Sequence, residues 1–188
     1  MDLVRRHNTL AADYLYLAAC VDSKDLPLDI LHASSPRERE DAIKVLSNYE
    51  FVTRRPADSA FDLHRLVHRG LREWLQKQQQ LGRWTQHAIT QLLQVFPDHD
   101  HGNNSKWRRL RPHAQCTLSY SLTEGDDKDR LTLMVKCVMA LCSDGRYTEA
   151  PELQMRIVQT RKRVLGDEHS FTLTSMANLA STYSNQGR

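Results

Sequence analysis

Residues 131–146 and 173–188 repeat one another at an offset of 42 residues. Leu131 aligns with Leu173, Thr132 with Thr174, Met134 with Met176, and Gly145-Arg146 with Gly187-Arg188: five identities in sixteen positions. A fixed period constrains the fold strongly, because one copy cannot bury its apolar face alone and copies must stack. Between the two copies lies GRYTEAPELQMRIVQTRKRVLGDEHS, whose stripe Ala150, Leu153, Ile157, Arg161 and Val164 has helical spacing. Pro151 falls in the first turn of that helix, where backbone N–H groups have no intrahelical partner. Leu165-Gly166 is expected to end it, with the glycine in a left-handed conformation. The last third therefore reads as antiparallel helix pairs. About one and a half units are present, and such arrays need roughly three to cover their faces. The chain is accordingly expected to be a fragment or a truncated gene product with an exposed apolar end that favours self-association.

Composition narrows the class. Charged residues make up 26% and apolar residues 40% of the 188, ordinary for a globular protein. Only 7 glycines and 6 prolines interrupt the chain, so long stretches can stay helical. A net charge of +3 is too small to argue for nucleic acid by itself. No run of 18 apolar residues exists to span a membrane, and MDLVRRHNTLAADYL has no apolar core of a signal peptide. Cys20, Cys116, Cys137 and Cys142 form no CxxC pair and no zinc spacing. They are expected to be reduced thiols of a cytoplasmic chain.

The first third predicts three helices and a hairpin. NTLAADYLYLAAC places Leu10, Tyr14, Leu17 and Ala18 on one face. PLDILH reads as a short helix with Pro27 in its first turn. SSPREREDAIKVLSNYEF reads as another, capped by Ser35, started by Pro36, and buried along Ala42, Val45, Leu46 and Tyr49. EFVTRR and SAFDLH carry β-forming residues around the turn cluster PADS, which predicts a small hairpin or wing. Leu63, Leu66, Val67, Leu71, Trp74 and Leu75 then predict an amphipathic helix bearing His64 and His68 four apart. A zinc pair there would need further ligands, and no HExxH supplies them. The pattern resembles a compact winged-helix domain over 9–80.

A connector over 81–127 follows. RWTQHAITQLLQVF is helical, with Trp84, Ala88, Leu92, Val95 and Phe96 on one side. PDHDHGNNS is a polar loop, and its Asp98, His99, Asp100 and His101 are adjacent residues that rarely converge on one cation. KWRRLRPHAQCTLSYSL reads as helical with an interruption at Pro112. Lys106, Arg108, Arg109 and Arg111 beside Trp107 form a basic aromatic cluster that either contacts phosphates and bases or is simple packing with a wet arginine face.

The motifs GRYTEA and RKRVLGDEHS at a period of 42, longer than the ordinary 34, resemble the tetratricopeptide repeats of kinesin light chains, assigned here to 128–188. Ser170 and Phe171 stand where that family has Pro-Asp. Together with AADYLYLAACVDSKDLPLDIL and AIKVLSNYEFVTRRPADSAFDLHRLVH, the chain resembles the middle of fungal STAND proteins, P-loop signalling ATPases of the NB-ARC type. The resemblance implies a mainly α fold: a winged-helix domain with a β-hairpin wing, a helical connector, and the helix pairs of an α-solenoid. It implies that His64, in Leu63-His64-Arg65, contacts nucleotide phosphate as a state sensor, with Arg65 replacing an aspartate. It implies that Lys136 and Asn178, aligned at the 42 offset, face a groove that holds a protein or peptide partner.

No GxxxxGK[ST] or GxGxxG is present. ATP or ADP is therefore expected only on an NB-ARC domain upstream, and this chain is expected to hold no cofactor or metal and to be no enzyme. The expected role is a regulatory and protein-binding segment of a signalling protein. The alternative is a winged-helix DNA-binding regulator with a repeat sensor. Arg54 and Arg55 on the wing favour it; Glu38, Glu40 and Asp41 on the third helix oppose it, and a basic reading element is lacking.

Overall fold

The computed structural model describes residues 2–55, 57, 59–97, 101–120 and 127–186. The architecture is mainly helical with one small sheet. Two compact units form: residues 1–95 with 112–123, and 96–111 with 124–188. The segment 81–127 is thus divided between them.

In the first unit, α1 (Asp2–His7) leads into α2 (Thr9–Ala18). Asn8 caps α2, its side chain accepting from the Ala11 N–H at 2.9 Å. The pattern Leu10, Tyr14, Leu17, Ala18 predicts one buried face, but α2 is buried almost all round. The reason is its central place: α1, α3 (Pro36–Asn48), α4 (Arg65–Lys77) and α5 (Leu81–Val95) all pack on it. Tyr16 stacks on Trp74 with ring centroids 5.5 Å apart and meets Trp84 at 5.1 Å. The Tyr14 hydroxyl donates to the His32 carbonyl at 3.0 Å. Ser35 caps α3 with Pro36 in its first turn, as the sequence predicts.

The wing is observed and gains a third strand. β2 (Val52–Arg55) and β3 (Ala60–Leu63) pair antiparallel, with Val52 opposite Leu63 and Arg55 opposite Ala60. β1 (Leu26–Pro27) pairs on the other side of β3, so the order is β1-β3-β2. The helix expected to start at Pro27 is therefore a strand, followed by a single 3-10 turn over Leu28–Ile30. Pro27 fits because β1 is an edge strand, where a missing N–H costs no ladder bond. Phe61 and Leu63 are fully buried beneath the sheet.

The helix α6 (Asn104–Leu118) runs through Pro112 without a break. Proline removes the bond that would reach the Arg108 carbonyl. Burial on both sides of that point holds the helix: Trp107 and Leu110 before it, His113, Ala114, Thr117 and Leu118 after it. Within the first unit, the Thr117 hydroxyl donates to the Cys20 and His113 carbonyls at 3.0 and 2.8 Å. His113 contacts the Asp25 carbonyl through Nε2 at 3.2 Å, at a turn where Asp25 has φ +52°.

Burial pushes the His113 imidazole below its ordinary 6.5, although the Asp25 carbonyl and the carboxylates of Asp22 and Asp25 pull the other way. Its Nδ1 is buried without a partner, so it suits the neutral ring. Burial also lowers His68. A histidine depressed in the folded state contributes stability that is whole above 6.5 and is lost as pH falls through the folded value. We expect urea unfolding to show stability falling as pH drops below about 6.5, before the lowered carboxylates Glu40, Asp62 and Glu149 protonate. His113→Gln should flatten that slope. An unchanged slope would contradict the buried neutral histidine.

Candidate functional site

The second unit is built from α7 (Asp127–Ser143), α8 (Ala150–Leu165) and α9 (Ser170–Gln186). α8 packs against both α7 and α9. Leu153, Ile157 and Val158 of its apolar stripe are buried, as are Met134, Cys137, Val138 and Leu141 of α7. Val164, which the periodicity adds to that stripe, is 57% exposed. It lies in the last turn, past the part of the helix that α7 and α9 cover.

The turns are fixed by charge and by glycine. Arg111 and Arg146 both pair with Glu149, and Arg108 pairs with Asp144. Burial alone would raise the Glu149 carboxyl, but the two arginines outweigh it and hold it below the usual range. Gly145 sits at φ +73° in the α7–α8 turn. Gly166 ends α8 with positive φ, as predicted, but at φ 92°, ψ 164° rather than in the left-handed helical region. That combination is nearly confined to glycine. It turns the chain outward so that Thr172 can bond the Gly166 carbonyl at 2.9 Å.

Between α7 and α9, over α8, lies a groove in two adjoining compartments of about 250 and 310 Å3. Val138 and Met139 of α7, Gln154 of α8 and Asn178 of α9 line both. Ile157, Arg161, Phe171 and Ser175 line the first; Cys142, Tyr147 and Thr182 line the second. Asn178, for which the resemblance implies a groove position, is therefore at the groove's middle. Lys136, its partner in that alignment, is half-buried and lines neither compartment.

Two further groove residues were not read as site residues from the sequence. Gln154 is 5% exposed; its amide Nε2 donates to Thr182 Oγ1 at 2.9 Å and its Oε1 has no hydrogen-bond partner. Arg161 donates to the Phe171 carbonyl at 2.9 Å and to Ser175 Oγ, and sits over the Phe171 ring at 5.6 Å. The signal for both was in the spacing. Position 154 falls between 150 and 157 on the buried face, and Arg161 is a charge at a stripe position.

The groove is suited to contact rather than to covalent chemistry. Burial pushes the Cys137 thiol up to about 12 and raises Cys142 as well. Neither is held as a nucleophilic thiolate. All four cysteines are free thiols.

In the first unit, His64 precedes α4 rather than lying within it. It is exposed, follows β3 directly, and caps α4, its Nδ1 accepting from the Leu66 N–H at 3.4 Å. Arg65 and Leu66 beside it are exposed, Leu66 at 72%. His68 points elsewhere, its Nε2 against the Val21 carbonyl at 3.0 Å, so the two rings do not share one site. The wing arginines are engaged. Arg54 makes two bonds to the Glu40 carboxylate, at 2.5 and 2.7 Å, and Arg55 lies 3.5 Å from Asp25. Trp107 is buried, its Nε1 donating to Asn104 at 3.0 Å, and is not placed to stack on a base. Asp98, His99 and Asp100 lie outside the described residues. Among the described residues no group of three metal-ligating side chains forms, and no helix is long and apolar enough to cross a membrane.

Residues 131–170, from α7 through α8 to the first residue of α9, match a family model. It is the tetratricopeptide repeat. The α7–α8 helix pair thus matches a tetratricopeptide repeat, a class that works through protein contacts. Over 174 residues, 92% of the chain, the sequence is 32% identical to a protein of the fungus Hyaloscypha variabilis named "Nucleotide-binding leucine-rich repeat (NLR)-like protein". The chain spans 18% of that relative's length. No solved structure matches it.

The repeat also leaves one face bare. Leu173, Met176 and Tyr183 of α9 are 53%, 42% and 49% exposed. Met176 and Tyr183 stand 42 residues after Met134 and Leu141, which α8 covers in the preceding helix. We expect the isolated chain to self-associate through this face. Sedimentation velocity should show a mass rising with concentration, and Leu173→Lys with Met176→Lys should return it to the monomer. A wild-type chain monomeric at high concentration would contradict this.

Proposed function

We propose that this chain is a non-catalytic regulatory and protein-binding segment of a STAND-type signalling protein. The observation that carries the reading is the open groove over α8 within a tetratricopeptide repeat, with Asn178 at its centre. The similarity to an NLR-like protein supports the signalling context. The period of 42 and the GRYTEA motif support the kinesin-light-chain type of repeat.

The first unit is read as a winged helix. Its order of helix α2, strand β1, helix α3, hairpin β2–β3 and helix α4 supports this. It docks on a nucleotide-binding domain that lies upstream in the parent protein. His64, Arg65 and the exposed Leu66 form the contact at the start of α4. His64 reads the nucleotide phosphates from its exposed place at the start of α4. Arg65, standing where the family has an aspartate, adds a cation beside it. ATP or ADP belongs to that upstream domain; this sequence carries no GxxxxGK[ST] cradle for phosphates. Such a switch works in the cytoplasm.

The DNA-binding alternative is disfavoured by the arginines themselves. Arg54 is bound to Glu40 and Arg55 to Asp25 and Asp62, so the wing's charge is balanced before any phosphate arrives.

Sequencing the reading frame on both sides of this segment tests the proposal. We expect a GxxxxGK[ST] motif upstream and further repeats downstream. Calorimetric titration of the isolated chain should show no ATP or ADP binding. In the full-length protein, His64→Ala should speed ADP release roughly tenfold, the worth of one charge-assisted hydrogen bond. A frame without a P-loop, or ADP release unchanged in the variant, would remove the docking role.

A further inference from the structure

We propose that Ser35 is a modification site. A proline-directed serine kinase, using ATP, phosphorylates its hydroxyl in the folded chain, and the phosphate then fastens the start of α3.

The first ground is the local sequence and its backbone. Of the 6 prolines, Pro36 alone follows a serine or threonine. A kinase that selects proline after the acceptor takes its substrate as an extended segment, and proline strands no N–H donor there. The residue before a proline is biased to extended backbone, and Ser35 has φ −150° and ψ 156°. Ser34, Ser35, Pro36 and Arg37 are all exposed.

The second ground is the state of the hydroxyl. Ser35 Oγ accepts from the Glu38 N–H at 3.2 Å, and no group among the described residues takes its own proton. The first intrahelical N–H bond of α3 runs from Arg39 to the Ser35 carbonyl, at 3.2 Å. Drawing residues 34–38 into a kinase cleft therefore frays one helical turn. In the transfer, Ser35 Oγ attacks the γ-phosphorus of ATP. The Oγ–P bond forms as the bond to the bridging oxygen breaks, ADP leaves, and the hydroxyl proton passes to the kinase's base.

The third ground is the fit of the product. A phosphoserine carries about −1.5 to −2 charges at pH 7. Arg37, two residues on, is exposed and makes no hydrogen bond or ion pair among the described residues. Arg39 stands four residues from Ser35 on the same helical face, its Nε buried without an acceptor. Glu38 is the group the phosphate repels: its carboxylate accepts the Ser34 N–H at 3.0 Å. A phosphate oxygen takes over the Glu38 N–H that Oγ now holds, so the mark strengthens a cap already present instead of breaking it.

The test is treatment of the whole folded chain with ATP and either a mitogen-activated or a cyclin-dependent kinase, read by intact mass and by fragmentation. We expect one phosphate, on Ser35. Ser35→Ala should abolish it and Ser34→Ala should leave it. Pro36→Ala should slow it at least tenfold, with circular dichroism checking that each variant is folded. The phosphorylated chain should unfold at higher urea, its unfolding constant lower by about two- to fivefold, and molar salt should shrink that gain. Phosphate on another residue, or on Ser35 at an unchanged rate without Pro36, would overturn the inference. So would a synthetic peptide of residues 28–43 that is phosphorylated while the folded chain is not, because α3 then withholds the hydroxyl. Incorporation into neither chain nor peptide, or a urea midpoint lowered by the phosphate, would overturn it equally.

Discussion

Helix α8 is held on two faces, by α7 on one side and by α9 on the other, and the groove exists because of that grip. Leu153, Ile157 and Val158 are taken out of water between the two neighbours. Each such side chain contributes about 1.5–3 kcal/mol when fully buried. The same burial drags Gln154 into the interior. One end of its amide finds Thr182; the other is left facing the groove. Stability and the shape of the groove are thus set by one helix. The residues that fix α8 also define the walls.

The first unit follows a different logic. There the covered element is α2, wrapped by four helices and sealed by Tyr16 between two tryptophans. A small three-stranded sheet closes one side, tied to the Asp22–Asp25 turn. Asp62 ties that turn down: it accepts the Asp25 N–H at 2.8 Å and pairs with Lys24. Burial pushes its carboxyl up, but those donors and Arg55 outweigh it and keep the group below its ordinary value. His113 and His68 pin the neighbouring carbonyls of Asp25 and Val21. The exposed His64, Arg65 and Leu66 stand where this rigid unit meets solvent.

Much of this was legible in the sequence, and for identifiable reasons. The hairpin followed from β-forming residues around a turn, and α3 from Ser35 and Pro36 at its start. The repeat followed from its period, and the resemblance to kinesin-light-chain repeats pointed to Asn178. What escaped were positions where tertiary packing overrides a local rule. Pro112 removes one helical bond, yet burial on both sides carries α6 through it. Pro27 suits a helix start and an edge strand equally; Ala60 and Phe61, far along the chain, decide for the strand. α1 escaped because Val4 alone among its described residues is buried. Gln154 escaped because an apolar stripe draws the eye past a polar residue within it. Lys136 shares its aligned position with Asn178 but not its place at the groove, because α7 and α9 have different neighbours.

A preformed groove requires α8 to be a fixed floor rather than one helix among three of equal mobility. Amide hydrogen exchange of the free chain measures this directly. The backbone amides of 153–158 should be the slowest to exchange in the second unit. Those of α9, covered on one face only, should exchange well before them. If α8 exchanges as fast as α9, the groove is not preformed, and the case for a built binding surface fails.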